Sequence, residues 1–498
     1  MAGIGVKLNR IYRKNSLSSK LYGFAYSTVI TVAPMFVVIG AVLLSQALLQ
    51  FSRASFMLRE LFADTLLYTF IFSLLTVAPF NAVLSKYISD IFFEEKYEDV
   101  MPCFYVGLVI TVIFGSLFAI PFCIHEYLVG EVAIYYVFTG YWAYMSLVLV
   151  FYSMIYMSIV KVYGKISLFF IISMLFSMVL SVWLHYIAGV EKTYALLFSL
   201  ASGFTLIATL EYSLIHSYFR MNSGEYMAVF RKMKHYWKMI LINFLYTLGL
   251  YIHNFVFWNS ELQNVLAKTF VTAQPYDMAT CLAMFTNISA TIIFITNIEL
   301  HFRDRYRLYF EMVLGGRGHD IDNAKDRLFR QVGEELFTLI RLQFIISVTI
   351  FLICMVVLPM FGFAGIIMLI YPSLCVGYFI LFVMYSEILF LYYFNDLNGA
   401  LLTAAVFCSV TFIGSVMSSQ LPEYWFGMGL VIGAFSGFTV AYNRIQWIEL
   451  NLNAMTFCPK DAENELVASD MSPRPGSMVY EKSRSTWVDL DKADKAEA

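Results

Sequence analysis

Charge is scarce in this chain. Only 14% of its 498 residues are Asp, Glu, Lys or Arg, against about 25% in average globular usage, too little to cover a soluble protein of this length. The net charge of −2 leaves no basic excess for nucleic acid. Eleven prolines and 27 glycines are too few for a fibrous or disordered chain. The seven cysteines (103, 123, 281, 354, 375, 408 and 458) include no Cys-x-x-Cys, and the seven histidines are scattered. That spacing suggests neither a disulfide framework nor a zinc site, and no metal or cofactor is expected. Gly315-Gly-Arg-Gly-His lacks the Lys-Ser/Thr of a phosphate-binding loop and reads as a helix break. Asp320-Ile-Asp322 has the spacing of a metal-holding Asp-x-Asp, but without a nucleotide-binding fold around it helix capping is expected. Nothing resembles an enzyme's catalytic cluster.

What is present is grease. Sixty per cent of the residues are hydrophobic and 18% aromatic, with mean hydropathy +0.71. A membrane-crossing helix needs roughly 20 apolar residues, and about twelve such runs occur. The first group is Leu21–Leu49, Leu61–Ile88, Cys103–Ile124, Val132–Val160, Ile166–Ile187 and Tyr194–Phe219. The second is Trp237–Trp258, Tyr276–Ile298, Leu336–Met360, Ala364–Phe390, Leu397–Val416 and Tyr424–Ile445. The runs are continuous, whereas barrel strands alternate apolar with polar. The fold class expected is an all-α integral membrane protein.

Lys and Arg stay on the cytoplasmic side of a membrane. With an inside N-terminus and alternating spans, only Arg53, Arg59, Lys192 and Lys268 of the 33 positive residues fall outside. Both termini are therefore expected in the cytoplasm. Residues 1–20 form a basic leader in which Ile4, Leu8, Ile11 and Tyr12 recur at helical spacing, as in a helix lying on the inner leaflet. The first run is too long for a cleaved signal and reads as a retained anchor. The expected organisation is an N-terminal set of spans over 21–219, a cytoplasmic linker over 220–236 and a C-terminal set over 237–447. Within the latter, 301–335 is a cytoplasmic loop carrying the apolar stripe Phe302, Tyr306, Tyr309, Phe310 and Val313. Residues 448–498 are a polar tail, expected to be disordered beyond about 459. The second and eighth spans both run on into amphipathic stretches, at Ser85–Tyr97 and Glu299–Phe310, a faint sign of parallel repeats.

A charge at mid-bilayer costs at least about 2.5–3.5 kcal/mol, so polar residues within spans are functional candidates. Glu211 and Glu387 are candidates for a substrate path or ion coupling, against a null of edge carboxylates paired with Lys or Arg. Asn243, His253, Asn254 and Asn287 suit either substrate contact or hydrogen bonding between helices. Among the 34 tyrosines, Tyr246, Tyr371 and Tyr378 lie inside spans; a ring with a hydroxyl beside it suits a sugar, while an interfacial belt is the bland alternative. Pro34, Pro79 and Pro372 kink the first, second and tenth spans. Arg303, Arg305, Arg307, Arg317, Arg327 and Arg330 make the long cytoplasmic loop a docking surface for a partner.

Met1-Ala-Gly-Ile-Gly with its basic leader, then Tyr22-Gly-Phe-Ala-Tyr and Ala33-Pro34, resembles the opening of the PelG family. Tyr246–Trp258, Tyr276 through Glu299-Leu-His-Phe-Arg-Asp-Arg-Tyr, Tyr392-Tyr-Phe-Asn-Asp-Leu and Tyr424-Trp-Phe-Gly-Met-Gly-Leu are similar too. The resemblance covers most of the chain apart from the tail. It implies two six-helix lobes around a central cavity, as in the multidrug/oligosaccharidyl-lipid/polysaccharide exporters. It also implies export of a Pel-type exopolysaccharide across the cytoplasmic membrane, with a cytosolic glycosyltransferase and Pel-complex membrane proteins as partners. An acidic–basic pair of the family's seventh span is replaced by His253-Asn254, so only the position carries over. The rivals are a cation-coupled flippase of lipid-linked oligosaccharide or drugs, a membrane-embedded transferase, and a non-transporting scaffold for a synthase.

Overall fold

The computed structural model describes residues 17–457 apart from 161–162, 288–301, 303–304 and 364, and two short strands in the tail. Within these, side chains are described over 33–457 apart from 158–163 and 361. The apolar runs become helices α1 (Leu17–Leu48), α2 (Phe56–Phe93), α3 (Val100–Leu128), α4 (Ile134–Val160), α5 (Tyr163–Tyr186) and α6 (Lys192–Tyr218). A short α7 (Tyr226–His235) occupies the expected linker, and α8 (Trp237–Phe257) follows. An antiparallel hairpin, β1 (Asn264–Leu266) with β2 (Phe270–Thr272), leads to α9 (Gln274–Asn287). Then come α10 (Gly318–Val357), α11 (Ile366–Tyr393), α12 (Leu397–Ser418) and α13 (Met428–Phe457).

Among the described residues, ten helices are long and apolar enough to cross a membrane. The first and eighth expected spans reach into residues whose side chains or backbone are not described, so the count of twelve rests partly outside the described residues. Local chemistry sets the ends. Ser55 Oγ accepts a hydrogen bond from the Leu58 amide at the start of α2, and Asp396 accepts one from Gly399 at the start of α12, satisfying amides that the first turn leaves orphaned. Pro34, Pro79 and Pro372 lie inside α1, α2 and α11 as expected, and Pro121 inside α3 is a further one.

One boundary reads differently in the structure. The ninth run, Leu336–Met360, is continuous with what precedes it: α10 is one helix from Gly318, and the isolated Gly333 between its charged first half and its apolar second half does not break it. At its start the Arg317 amide donates to the Asp320 carboxylate at 3.3 Å, so Asp320 caps as expected, and Gly316 sits in the break before it.

Helix pairing repeats along the chain. Contacts of α1 with α5, α2 with α4 and α3 with α4 recur as α8 with α12, α9 with α11 and α10 with α11. Packing near α13 depends on small residues: Gly429 and Gly433 abut Ser415 and Thr411 of α12, and Gly437 abuts Met384 of α11. Close approach of this kind drives helix association where lipid is as apolar as leucine. The two groups of helices meet where α2 packs on α8, with Phe72 stacked on Phe255 at 5.9 Å.

Met1–Ile445 forms one compact unit and Gln446–Ala498 another. The second contains the last turns of α13 and an antiparallel pair, β3 (Met478–Glu481) with β4 (Thr486–Asp489). That pair lies within the stretch read as a polar tail.

Candidate functional site

A cavity of about 420 Å³ lies between α2, α3, α4, α8 and the hairpin. Thr65, Tyr68, Thr69, Phe72, Leu75 and Thr76 come from α2; Phe114, Phe118, Phe122 and Glu126 from α3; Gly140, Tyr141 and Tyr144 from α4. Phe244, Leu248 and Phe255 of α8 and Phe270 of β2 close the other side. Residues far apart in sequence thus share one wall because α2 packs against both α4 and α8.

Most hydroxyls of this lining are already bonded within the protein. Thr65 bonds Tyr136 at 3.1 Å, Thr76 bonds Tyr144 at 2.7 Å, and Tyr141 bonds Ser116 at 3.0 Å. Tyr68 donates to the Val271 carbonyl at 2.8 Å and accepts from the Val271 amide at 3.0 Å. One phenol thereby satisfies both backbone groups of a strand residue.

The hairpin seals this end of the cavity. Tyr68 stacks on Trp258 with 5.1 Å between centroids and 5° between planes, and meets Phe270 edge-on at 5.1 Å. Phe122 touches Phe270 at 5.5 Å. Thr272 donates to Asp64 at 3.3 Å and Gln274 to Glu60 at 3.4 Å. Outside these, Lys268 pairs with Glu131 at 3.2 Å. Asp64 and Glu60 are buried, and each keeps a second carboxyl oxygen without a hydrogen bond.

The sequence candidates do not line this cavity. They pair with each other and with their neighbours between α8, α9, α10 and α11. His253 lies between two phenols, Tyr276 at 2.9 Å from Nδ1 and Tyr378 at 3.3 Å from Nε2. A neutral imidazole donates at one nitrogen and accepts at the other, so both contacts can be satisfied. Asn254 donates to Asp277 at 2.7 Å, and the Trp258 indole and the Ala273 amide donate to the same carboxylate. Asn243 donates to Tyr392 at 3.0 Å, and Tyr246 stacks on Tyr385 at 4.7 Å. Asn287 accepts from Ser347 at 2.6 Å and donates to the Cys375 carbonyl at 3.1 Å, and Tyr371 bonds Thr286 at 2.7 Å.

Glu211 and Glu387 lie apart, both fully buried. Ser153 of α4 donates to Glu211. Neither carboxyl oxygen of Glu387 has a hydrogen-bond partner. The expectation of edge carboxylates paired with Lys or Arg therefore fails for both among the described residues.

Of the arginines expected to dock a partner, Arg305, Arg307, Arg317, Arg327 and Arg330 are exposed, and Arg307 pairs with Glu311 at 2.8 Å. Arg303 lies outside the described residues. The sequence reading missed Glu60, Asp64, Glu126 and Asp277. Glu60 and Asp64 stand four residues apart in a span, a spacing that puts both on one helix face and could have drawn attention to them.

Comparison with known proteins agrees with this architecture. The family PelG, "Putative exopolysaccharide Exporter (EPS-E)", matches residues 1–457. No curated protein matches. The structure is similar to an outward-facing multidrug resistance MATE family transporter of the MOP superfamily, at 10% identity and TM-score 0.57, over 86% of this chain and 96% of that one. An inward-facing transporter of the same kind gives 12% identity and TM-score 0.52, over 87% and 96%. A MOP superfamily transporter from Pyrococcus furiosus Vc1 gives 10% and 0.53, over 84% and 95%. At such identities the likeness establishes the fold.

Proposed function

Because the chain belongs to the PelG family, and on that premise, we propose that it exports a Pel-type exopolysaccharide across the cytoplasmic membrane. The observation that carries this reading is the family match over residues 1–457 together with a MOP fold. The two sets of spans, 21–219 and 237–447, act as lobes that rock about the contact of α2 with α8. Both termini are cytoplasmic, which puts the hairpin seal on the outer face. The exposed arginines Arg305, Arg307, Arg317, Arg327 and Arg330 dock a cytosolic glycosyltransferase, with other Pel-complex membrane proteins beside it. The polar pairs around His253, Asn254, Asn243 and Asn287, with Tyr246, Tyr371 and Tyr378, become path surface when the helices of the C-terminal set separate.

Deleting the gene in a polymer-producing host should abolish extracellular polysaccharide, and complementation should restore it. Normal secretion by the null strain would defeat the proposal. A second reading, a cation-coupled flippase, draws on Glu387, whose buried carboxyl has no hydrogen bond, and on Glu211. Glu211→Gln and Glu387→Gln should each abolish transport if coupling runs through them. Intact transport by both variants across pH removes that reading and leaves the first standing.

A further inference from the structure

The lining of the cavity does not suit a sugar. A sugar needs hydrogen-bonding groups with spare capacity facing it, and the hydroxyls of Thr65, Tyr68, Thr76, Tyr141 and Tyr144 are already bonded to protein partners. What they leave is a wall of phenylalanine, leucine and ring faces. Cavities lined this way stay dry and take apolar guests.

One group breaks the pattern. Among the described residues of the lining, Glu126 alone carries a charge. It is 5% exposed, and among the described residues its carboxylate has no hydrogen bond or ion pair. It stands in the last turn of α3, at the level where a spanning helix meets headgroups. Phe118, which also lines the cavity, is 61% exposed, so the cavity opens beside that ring toward the surroundings of the helices.

We infer that this cavity is a binding site for a bilayer lipid with a primary-amine headgroup. An acyl chain fills the aromatic space between α2, α3, α4 and α8, and the ammonium pairs with Glu126. Charge complementarity selects the headgroup: a bare buried carboxylate repels an anionic lipid and gains charge-assisted hydrogen bonds from an ammonium. A quaternary choline has no N–H to donate and is the weaker fit. The inference goes beyond the export reading and does not depend on it.

The test uses the full chain in bilayers containing chain-spin-labelled phosphatidylethanolamine, phosphatidylcholine or phosphatidylglycerol, reading the motionally restricted fraction. Phosphatidylethanolamine should be retained about tenfold over phosphatidylglycerol, the ratio one charge-assisted hydrogen bond supports. Glu126→Gln should bring that ratio close to one, and Glu126→Asp should keep it. Gly140→Leu places its side chain in the cavity, where a Cβ meets only Thr65 at 3.6 Å, and should lower the restricted fraction for every lipid. Equal retention of all three lipids by the parent protein would overturn the inference, as would a preference that survives Glu126→Gln. Binding of tetraphenylphosphonium at Glu126 without any lipid preference would assign the site to a free cation and overturn it equally.

Discussion

The buried polar residues divide by whether their bonding capacity is used up. His253 has both nitrogens engaged by phenols, whereas Glu387 has no partner for either oxygen. Hydrogen bonds between helices in a membrane are worth about 0.6 kcal/mol on average and at most about 1.7. A double-mutant cycle of His253→Phe with Tyr276→Phe, read by reversible unfolding in detergent, should therefore give a coupling energy in that range. Asp396 should matter more. It caps α12 and forms an ion pair with Arg444 of α13, one of whose contacts is 3.2 Å. Losing an N-cap alone costs about 0.5–2 kcal/mol, so Asp396→Ala should lower the unfolding midpoint measurably, with Asp396→Asn intermediate because the amide oxygen still caps. Sequence spacing could nominate His253 and Asn254 as buried polar groups; it could not show that Asp277, just inside the next helix, supplies Asn254's partner.

Individual helices show where length exceeds the membrane. The 40 residues of α10 span about 60 Å at 1.5 Å per residue, twice a hydrocarbon core of about 30 Å. Its first half is held by buried Ile321, Ala324, Leu328, Phe329 and Val332, with Phe329 stacked on Phe394 at 5.3 Å. Phe329→Ala should speed proteolytic cleavage within 305–335 in inside-out vesicles while leaving the spans protected. On α13, a Cβ at Gly433 would run into Thr411, 2.8 Å from its Cα. Backbone cannot give way as a flexible side chain can, so Gly433→Ala should cost about 1–3 kcal/mol, the usual range for overpacking. The helices themselves were legible from apolar run length. The joint between the amphipathic stretch and the ninth span was not, because charged and apolar halves of one helix differ in composition but share the same backbone.

For the molecule as a whole, the export reading requires the contacts of the hairpin with the helices around it to part. Glu131, between α3 and α4, and Lys268, in the turn of the hairpin, are both exposed and pair with each other. Glu131→Cys with Lys268→Cys, joined by a short thiol cross-linker applied from outside, should stop polymer release, and reduction of the linker should restore it. Each single-cysteine variant should export normally under the same treatment. Reporter tags at the two ends should both read as cytoplasmic; opposite sides would overturn the orientation and place the hairpin at the wrong face for an outer seal.

The sequence by itself determined that this is a helical membrane protein, where most of its spans lie, and which family it resembles. Those properties follow from the cost of putting polar backbone and charge into hydrocarbon, a constraint each segment meets alone. Tertiary structure decided which side chains face a common space. Tyr68 bonds Val271, and Glu126 and Phe255 line one cavity, though the sequence sets the members of each pair far apart. It also decided that most hydroxyls of the cavity are spent inside the protein, since a hydrogen bond between distant segments leaves no local mark in either.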